Sequence, residues 1–428
     1  MADQKKPTAK GKTAAKAAKA DKALSEATNG VGTVGEGANN YIKEMEKKGC
    51  LGDVNKKIDF IPTGNWVVDR QIGDGLGGAG GWPRGYMVEL SGKESCGKTT
   101  LALMCIPGLQ KKKEMTLYAD FENTLRSQQH YVRSIGINAA DRSTFVHIVP
   151  DSLEDGSDYI FKGIVLMRPA LVVVDSLAAM LPKSFTTGSI ADANKVGEHA
   201  KGVGVFVATM NKVIGKTNTC IIFINQLRAK IGVMMPGAAT TDTTGGMAFK
   251  FYMTVRISLV SEKKISVDKA TSMITGDTIK EVTDQRVKCT VIKNKIDKPF
   301  KSELLYLKFG KGFDEVRSLF DLACNRGLIK GTGWYSYVSD KNPSYNFKIQ
   351  GTDNTVEYLR EHPEIFKEME PLLFPKVDFE ELRKAKLNGE IGEGDDEQMD
   401  PEMKKLLDEM NSNLNKPVEV EVSSEEAE

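Results

Sequence analysis

The chain is poor in the residues that build disulfide frameworks and metal centres. Its 428 residues include six cysteines, scattered without a C-x-x-C pair, and four histidines without metal-ligand spacing. This pattern excludes a disulfide scaffold and favours reduced thiols in a cytoplasm. No apolar run approaches the ~18 residues that a bilayer span needs, and the Lys/Ala start lacks the apolar segment of a secretory signal. We therefore expect no membrane partner and a cytoplasmic location.

An excess of one charge is also missing. The formal net charge is +1, so global charge identifies no partner. The charges are instead concentrated at the two termini: the first 22 residues are rich in lysine and alanine, and the segment from Glu390 onward is acidic. Oppositely charged tails are typical of proteins that modulate contact with a polyanion. The alternative for each tail is a solubilising disordered segment.

The stretch from Met87 to Leu103 has the spacing of a phosphate-binding loop. An apolar strand leads into a glycine-bounded loop, and a helix follows it. Glycines let successive backbone N–H groups face a phosphate, and the helix adds the positive end of its dipole. Lys98 can reach the outer phosphates, and the Thr99 hydroxyl can ligate Mg²⁺. The loop and its flank, which we predict to bind nucleotide, are Gly92, Lys93, Glu94, Ser95, Cys96, Gly97, Lys98, Thr99 and Thr100.

Strands that alternate with helices follow this loop. Apolar runs at 170–174 and 220–224 are typical of strands buried on both faces of a parallel sheet. The pattern predicts an α/β core with a mostly parallel sheet, in which ligands bind beyond the carboxyl ends of the strands. Glu122, Asp175 and Gln226 all fall at such ends.

These three residues have different chemical uses. Asp175 can hold the Mg²⁺ shell opposite Thr99. Glu122 can polarise a water for attack on the γ-phosphate, although a surface glutamate at a strand end fits the spacing equally well. Gln226 offers a neutral amide to the γ-phosphate. Lys293 and Lys295 lie at the end of a later strand. They are either a solvated cationic edge or contacts to the phosphates of a nucleotide bound by a neighbouring subunit.

Two long polar segments follow the strand ends at 183–199 and 228–246. Long loops of this kind are usually functional or disordered, and an ordinary surface connection remains the alternative for both. In the second, cations offer phosphate contacts, threonines and glycines offer hydroxyls and close backbone approach, and apolar residues offer wedges. The residues that offer these contacts are Arg228, Lys230, Gly232, Val233, Met234, Met235, Thr243, Thr244, Gly245 and Gly246.

Five motifs resemble the RecA recombinase family, which includes bacterial members and phage members of the UvsX type. The motifs are G-K-E-S-C-G-K-T-T (92–100), L-V-V-V-D-S-L-A-A-M-L-P-K (171–183), I-I-F-I-N-Q-L-R-A-K-I-G-V-M (221–234), T-T-G-G-M-A-F-K-F-Y (243–252) and V-I-K-N-K-I-D-K-P-F (291–300). The resemblance runs from about Asp59 to about Phe374. It implies a helical filament on single-stranded DNA that uses ATP and Mg²⁺ to pair homologous double-stranded DNA and exchange strands. Mediator and single-strand-binding proteins are further implied partners.

The resemblance also implies roles for individual residues. Glu122 takes the place of the family's catalytic glutamate and Gln226 that of its γ-phosphate sensor, with Lys98 beside them. Lys293 and Lys295 match the pair that reaches the neighbour's ATP. Tyr131 resembles the aromatic residue that stacks on adenine. The polar segments resemble the family's first and second DNA loops, which implies that the ten residues of the second segment named above bind DNA.

The domain organisation that follows from the resemblance has five parts. Residues 1–38 are a disordered basic extension with a glycine-rich linker, and 39–58 hold an N-terminal oligomerisation helix with its linker. Residues 59–314 form the RecA-type ATPase core with a phosphate loop, 315–376 a small C-terminal α/β DNA-binding domain, and 377–428 an acidic tail. Met235 stands where bacterial members carry an aromatic residue, which favours a phage or divergent member. The resemblance thus implies a bacterial cytoplasmic location, including the cytoplasm of a phage-infected host.

Two other classes of function compete with this interpretation. A hexameric DNA helicase would also use a phosphate loop on this core, but it does not explain the T-T-G-G loop. A nucleotide-switched scaffold does not explain the cations of the second loop.

Overall fold

The computed structural model describes residues 34–48, 57–73, 80–187, 196–229, 241–271 and 278–374. The chain divides into two compact units, Met1–Ile58 and Asp59–Glu428. The first unit contains helix α1 (Val34–Lys47), on which Tyr41 and Ile42 are exposed. The predicted N-terminal helix therefore exists and begins before Asn39. The basic start and the acidic end lie outside the described residues.

The second unit alternates strands and helices. Its strands are β1 (Phe60–Ile61), β2 (Trp82–Pro83), β3 (Met87–Gly92), β4 (Thr116–Asp120), β5 (Phe145–Ile148), β6 (Leu171–Asp175), β7 (Cys220–Ala229), β8 (Thr241–Thr243), β9 (Val255–Thr271), β10 (Thr278–Asn294), β11 (Ser302–Lys308), β12 (Gly312–Asp314), β13 (Trp334–Tyr337) and β14 (Phe347–Gln350). Its helices are α2 (Trp66–Gly73), α3 (Lys98–Leu103), α4 (Ile106–Lys111), α5 (Gln129–Ser134), α6 (Leu153–Met167), α7 (Lys183–Thr187), α8 (Val196–Thr217), α9 (Gly246–Tyr252), α10 (Glu315–Asn325), α11 (Thr352–Glu361) and α12 (Pro363–Leu373).

The central sheet has the order β12-β11-β10-β9-β3-β7-β6-β4-β5, and β8 pairs with the end of β7. The part from β9 through β3 to β5 is parallel, whereas β10, β11 and β12 pair antiparallel. The carboxyl ends of β3, β7, β6 and β4 therefore meet at one edge of the sheet. The chain is an α/β protein with a mostly parallel sheet, as the apolar runs predict.

Helices cover both faces of this sheet. Val173 of β6 belongs to a hydrophobic cluster on one face, and its neighbours Val172 and Val174 belong to a second cluster on the other. Leu101 of α3 joins the first cluster, and Phe206 of α8 joins the second. Alternate strand residues bury in opposite layers, which explains why these strands read as continuous apolar runs. None of the helices in the described ranges is long and apolar enough to cross a bilayer.

The structure confirms one boundary predicted from the sequence and moves another. The helix after the phosphate loop ends at Leu103, and α4 begins at Ile106 with Pro107 in its first turn, so the predicted break is confirmed. The strand expected to end near Gln226 continues to Ala229, because Leu227–Ala229 pairs with Thr241–Thr243. A short antiparallel ladder therefore joins the two ends of the second polar segment.

The C-terminal elements pack on the core through apolar side chains. Phe320, Leu359 and Ile365 belong to the same hydrophobic cluster as the residues of β3 and α3. The rings of Trp66 and Phe374 lie 5.7 Å apart. Residues 315–374 are thus joined to the core by a continuous apolar layer, and the domain boundaries stay a prediction.

Candidate nucleotide site

The phosphate loop depends on two glycines whose positions exclude a side chain. Gly97 has φ of 86°, in the left-handed region, and a Cβ there would lie 2.7 Å from Cζ of Phe313. A Cβ on Gly92 would lie 2.5 Å from Sγ of Cys96 and from the carbonyl oxygen of Leu259. Glycine is therefore required at both ends of the loop.

Lys98 and Cys96 fix the shape of the loop from inside. The Lys98 ammonium donates hydrogen bonds to the carbonyl oxygens of Gly92 at 3.1 Å and Lys93 at 2.7 Å. The Cys96 thiol donates to the Lys93 carbonyl at 2.9 Å. Burial raises the pKa of the Cys96 thiol, so it stays neutral and acts in packing.

Thr99 in the first turn of α3 faces Asp175 at the end of β6. The Thr99 hydroxyl donates to Oδ2 of Asp175 at 3.0 Å, and the Tyr118 hydroxyl donates to the same oxygen at 2.5 Å. Burial raises the pKa of Asp175 to about 6; hydrogen bonds from Tyr118 and Thr99 oppose the rise, and the negative charges of Glu122 and Asp120 add to it.

This donor set fits Mg²⁺. The ion prefers hard oxygen ligands and is usually held by one or two protein groups together with substrate phosphates. Thr99 and Asp175 offer a hydroxyl and a carboxylate beside the phosphate loop. Among the described residues, no cluster of three or more His, Cys, Asp or Glu side chains forms an all-protein metal cage. An ion shared with phosphates is the arrangement that these two side chains suit.

Glu122 and Gln226 meet directly beyond this pair. The Glu122 carboxylate accepts a hydrogen bond from Nε2 of Gln226 at 3.4 Å and another from the hydroxyl of Ser176. The backbone N–H of Glu122 donates to the carbonyl oxygen of Asp175, which ties the ends of β4 and β6 together. The structure therefore brings together the three strand-end residues that the sequence singled out.

Tyr131 lies against the helix that follows the phosphate loop. Its hydroxyl is hydrogen-bonded to the hydroxyl of Thr100, and burial raises its pKa. The ring is half-buried, so one part of it remains accessible. Tyr131 is thus beside the phosphate loop.

Lys293 and Lys295 are not part of this cluster. Lys293 donates to the carbonyl oxygen of Lys250 at 2.7 Å, and Lys295 donates to that of Phe251 at 3.0 Å, both at the end of α9. The β10–β9–β3 pairing places Lys293 level with Glu89, near the amino end of β3. Burial lowers the pKa of Lys293, and the positive charge of Lys295 lowers it further.

The second polar segment is described at its two ends. Arg228 lies in β7, and residues 230–240, which include Lys230, Gly232, Val233, Met234 and Met235, lie outside the described residues. Thr243 ends β8. Gly245 precedes α9 with φ of 108°, and a Cβ there would lie 2.9 Å from Cδ2 of Leu177. Of the first segment, Lys183 begins α7 and residues 188–195 lie outside the described residues.

Comparison with known proteins gives one consistent result. A family model described as the RecA N-terminal domain matches residues 39–314. The chain is 35% identical to Protein RecA of Lactobacillus acidophilus over 77% of this chain and 85% of that protein. It is 32% identical to Protein RecA of Streptococcus pneumoniae over 95% of this chain and 99% of that protein.

The chain belongs to the RecA family. It is therefore an ATP-dependent DNA recombination and repair protein, and the helicase alternative is not favoured. Family membership implies, in general terms, DNA-dependent ATPase activity with ATP and magnesium, DNA binding and filament formation.

The sequence patterns of this RecA-family chain did not single out two residues that hold site side chains, nor two others that lie in a buried cluster next to the site. Tyr118 holds Asp175, and Ser176 holds Glu122. Asn225 and Arg256 both bond to a buried carboxylate in β3, which is described below. A signal was present for each, because each is a polar residue inside or directly after an apolar strand, where a partner is obligatory.

Proposed function

We propose that this chain assembles as a helical filament on single-stranded DNA when it binds ATP and Mg²⁺, and that the filament pairs homologous double-stranded DNA and exchanges strands. The observation that carries the proposal is the contact between Gln226 and Glu122. Gln226 lies in the strand that leads into the second polar segment, so one side chain joins the hydrolysis side of the site to the candidate DNA loop.

The nucleotide would be held by residues of one subunit on one side. Lys98 and the backbone of the phosphate loop suit the phosphates, and Tyr131 suits the adenine ring by stacking. Thr99 and Asp175 would hold Mg²⁺, which when bound neutralises the charge on the outer phosphates. The proximity of Thr99 to Asp175, at 3.0 Å between the oxygens, supports this assignment.

Glu122 would orient the attacking water. Its carboxylate is exposed and is held by the hydroxyl of Ser176 and the amide of Gln226. A carboxylate fixed in this way can accept a proton from a water in line with the outer phosphate. Gln226 would exchange its contact with Glu122 for one with the γ-phosphate, and thereby report which nucleotide is bound.

The other side of the nucleotide would come from a neighbouring subunit. Lys293 is level with Glu89, three residues or about 10 Å of strand from Gly92, and its strand is two strands away from β3, so it is directed away from its own phosphate loop. Burial lowers the pKa of Lys293 and repulsion from Lys295 lowers it further; a nearby anion would relieve that repulsion. A filament contact in which these lysines face the neighbour's ATP satisfies both conditions.

The remaining parts would serve the DNA. The segments 183–199 and 228–246 would bind the single strand, largely through its backbone and with high salt sensitivity. Residues 315–376 would act as a small DNA-binding domain, 39–58 as an oligomerisation segment, and the basic and acidic tails as modulators of polyanion contact. Mediator and single-strand-binding proteins are further proposed partners.

Electron microscopy of the protein with single-stranded DNA tests the assembly. With a slowly hydrolysed ATP analogue we expect helical filaments, whereas a closed ring would favour a hexameric motor and no assembly a scaffold. The Glu122→Gln variant should form the same filaments while its ATPase rate falls by at least about a hundredfold. An unchanged ATPase rate would remove Glu122 from its proposed role.

A further inference from the structure

A fully buried carboxylate lies at the centre of the sheet, next to the nucleotide site. Glu89 of β3 has no exposed surface. Its Oε1 accepts a hydrogen bond from Nδ2 of Asn225 at 2.8 Å, and its Oε2 is paired with Nε of Arg256. A buried charge must be paired to be tolerated, so these three side chains constrain one another.

Two members of this cluster also contact the end of the second polar segment. Nδ2 of Asn225 donates to the carbonyl oxygen of Thr244 at 2.9 Å, and Nη2 of Arg256 donates to the hydroxyl of Thr243 at 3.2 Å. The side-chain oxygen of Asn225 accepts from the backbone N–H of Gln226 at 2.9 Å. Both donors of the amide and its oxygen are therefore used, and its orientation is fixed.

Helix α9 begins two residues after Thr244 and is held at its other end as well. Its last carbonyl oxygens accept hydrogen bonds from Lys293 and Lys295. The helix has seven residues and is about 10 Å long. A displacement of Thr243 and Thr244 therefore moves a short rigid helix whose far end carries the lysine contacts.

We propose that Asn225, Glu89 and Arg256 are positioning residues that transmit the state of Gln226 to the second polar segment and, through α9, to Lys293 and Lys295. The proposal deepens the proposed function and rests on it. Asn225 is the central element, because it contacts the Gln226 backbone, the buried carboxylate and the Thr244 carbonyl at once.

The physical basis is the cost of leaving buried polar groups without partners. If the backbone at Gln226 shifts when its side chain changes partner, the Asn225 amide cannot keep all its hydrogen bonds unless Thr244 moves with it. An unpaired buried donor or acceptor is expensive, so a concerted shift is favoured over an independent one. A merely structural cluster would stabilise the fold equally in every nucleotide state, and this difference can be measured.

The decisive quantity is the ratio of single-stranded DNA affinities with a slowly hydrolysed ATP analogue and with ADP. In full-length Asn225→Ala, we expect this ratio to fall about tenfold toward one. Affinity for the ATP analogue itself, measured without DNA, should stay within about twofold of the unaltered protein. An unchanged ratio, or an equal loss of DNA affinity with both nucleotides, would overturn the relay.

Asn65→Ala is the matched control. Asn65 is also fully buried, and its side-chain oxygen accepts a hydrogen bond from the backbone N–H of Val68 in α2. The same deletion is thus made away from Gln226, and the ratio should be preserved. A comparable fall in Asn65→Ala would show that any buried amide has this effect and would overturn the assignment.

Arg256→Lys gives a second measurement that does not depend on the folding of Asn225→Ala. A lysine keeps a positive charge opposite Glu89 but cannot also reach Thr243, because it lacks the guanidinium fork. We expect the ratio to fall severalfold, and an unchanged ratio in this variant would overturn the relay. A ratio near one in the unaltered protein would instead overturn the proposed function together with the relay.

Discussion

At the carboxyl end of the parallel strands, the candidate nucleotide residues contact one another within a single chain. Thr99 bonds to Asp175 and Gln226 bonds to Glu122. Near the amino end, Lys293 and Lys295 bond to backbone carbonyls of α9. In the first group, side chains bond to one another. In the second group, two positive charges lie against backbone carbonyls rather than carboxylates.

This difference supports the proposal that one subunit carries two half-sites. The strand pairing places Lys293 level with Glu89, whereas Gly92 at the start of the phosphate loop is level with Leu259. Under the proposed function, the two halves serve nucleotides at two different subunit interfaces. A head-to-tail contact, in which each subunit offers one half to each neighbour, uses both halves and generates a helical assembly.

The largest expected effect comes from the carboxyl-end half. Lys98→Ala removes the ammonium that bonds the loop carbonyls, and with it the charge offered to the phosphates. We expect ATP affinity to fall by about a hundredfold or more, and ATP-dependent DNA binding to be lost. Fluorescence anisotropy with labelled nucleotide and labelled oligonucleotide measures both. Lys112→Ala, an exposed lysine after α4, is the matched control, and strand exchange by Lys98→Ala at the unaltered rate would refute the site.

A smaller effect is expected when two variants, each altered in one half-site, are mixed and their ATPase activity is measured. The double variant Lys293→Ala and Lys295→Ala should keep ATP binding as a free subunit but lose most DNA-dependent ATPase activity. When it is mixed in equal amounts with Lys98→Ala, about a quarter of the subunit interfaces combine an intact loop from one subunit with intact lysines from its neighbour. ATPase activity should therefore recover in part.

The recovery depends on which subunit's nucleotide the lysines contact. If Lys293 and Lys295 act on their own subunit's nucleotide, no nucleotide site in the mixture has both Lys98 and the two lysines. Activity in the mixture would then equal the sum of the two inactive variants. That result would abolish the distinction between the two ends of the sheet.

The sequence was sufficient for the parts that local chemistry dictates. Spacing alone predicted the phosphate loop, because the glycines at 92 and 97 have no substitute in that backbone. Apolar runs predicted the buried strands, and their ends predicted where Glu122, Asp175 and Gln226 would meet. Pro107 predicted the helix break.

Long-range pairing was beyond the reach of spacing. The extension of β7 to Ala229 depends on a partner strand more than ten residues away, and β9 and β10 are each 17 residues long. The Glu89–Arg256 pair joins residues 167 positions apart, so a local pattern shows that each needs a partner but not which residue the partner is. The same limit applies to Lys293 and Lys295, whose position relative to the phosphate loop follows from sheet order.

The smallest expected effect tests the support of the lysine end. Asp69 in α2 accepts a hydrogen bond from the backbone N–H of Thr63 at 2.7 Å, and the side chain of Asn294 donates to the Ile72 carbonyl in the same helix. Burial raises the pKa of Asp69 from 3.8 to about 7, against the hydrogen bonds from Thr63. The folded state thus holds a proton that the unfolded state releases, so stability falls as pH rises from about 4 through 7.

Between pH 6 and pH 8, this group should lower the free energy of unfolding by about 1 kcal/mol. Asp69→Asn keeps an oxygen for the Thr63 N–H but does not titrate, so the variant should lose that part of the pH dependence. Urea unfolding at the two pH values measures it, and identical pH slopes in both proteins would contradict the assignment. Asn294 lies between Lys293 and Lys295 and bonds to the helix that contains Asp69. We therefore expect the pH-dependent loss of stability to affect the lysine end before the phosphate loop.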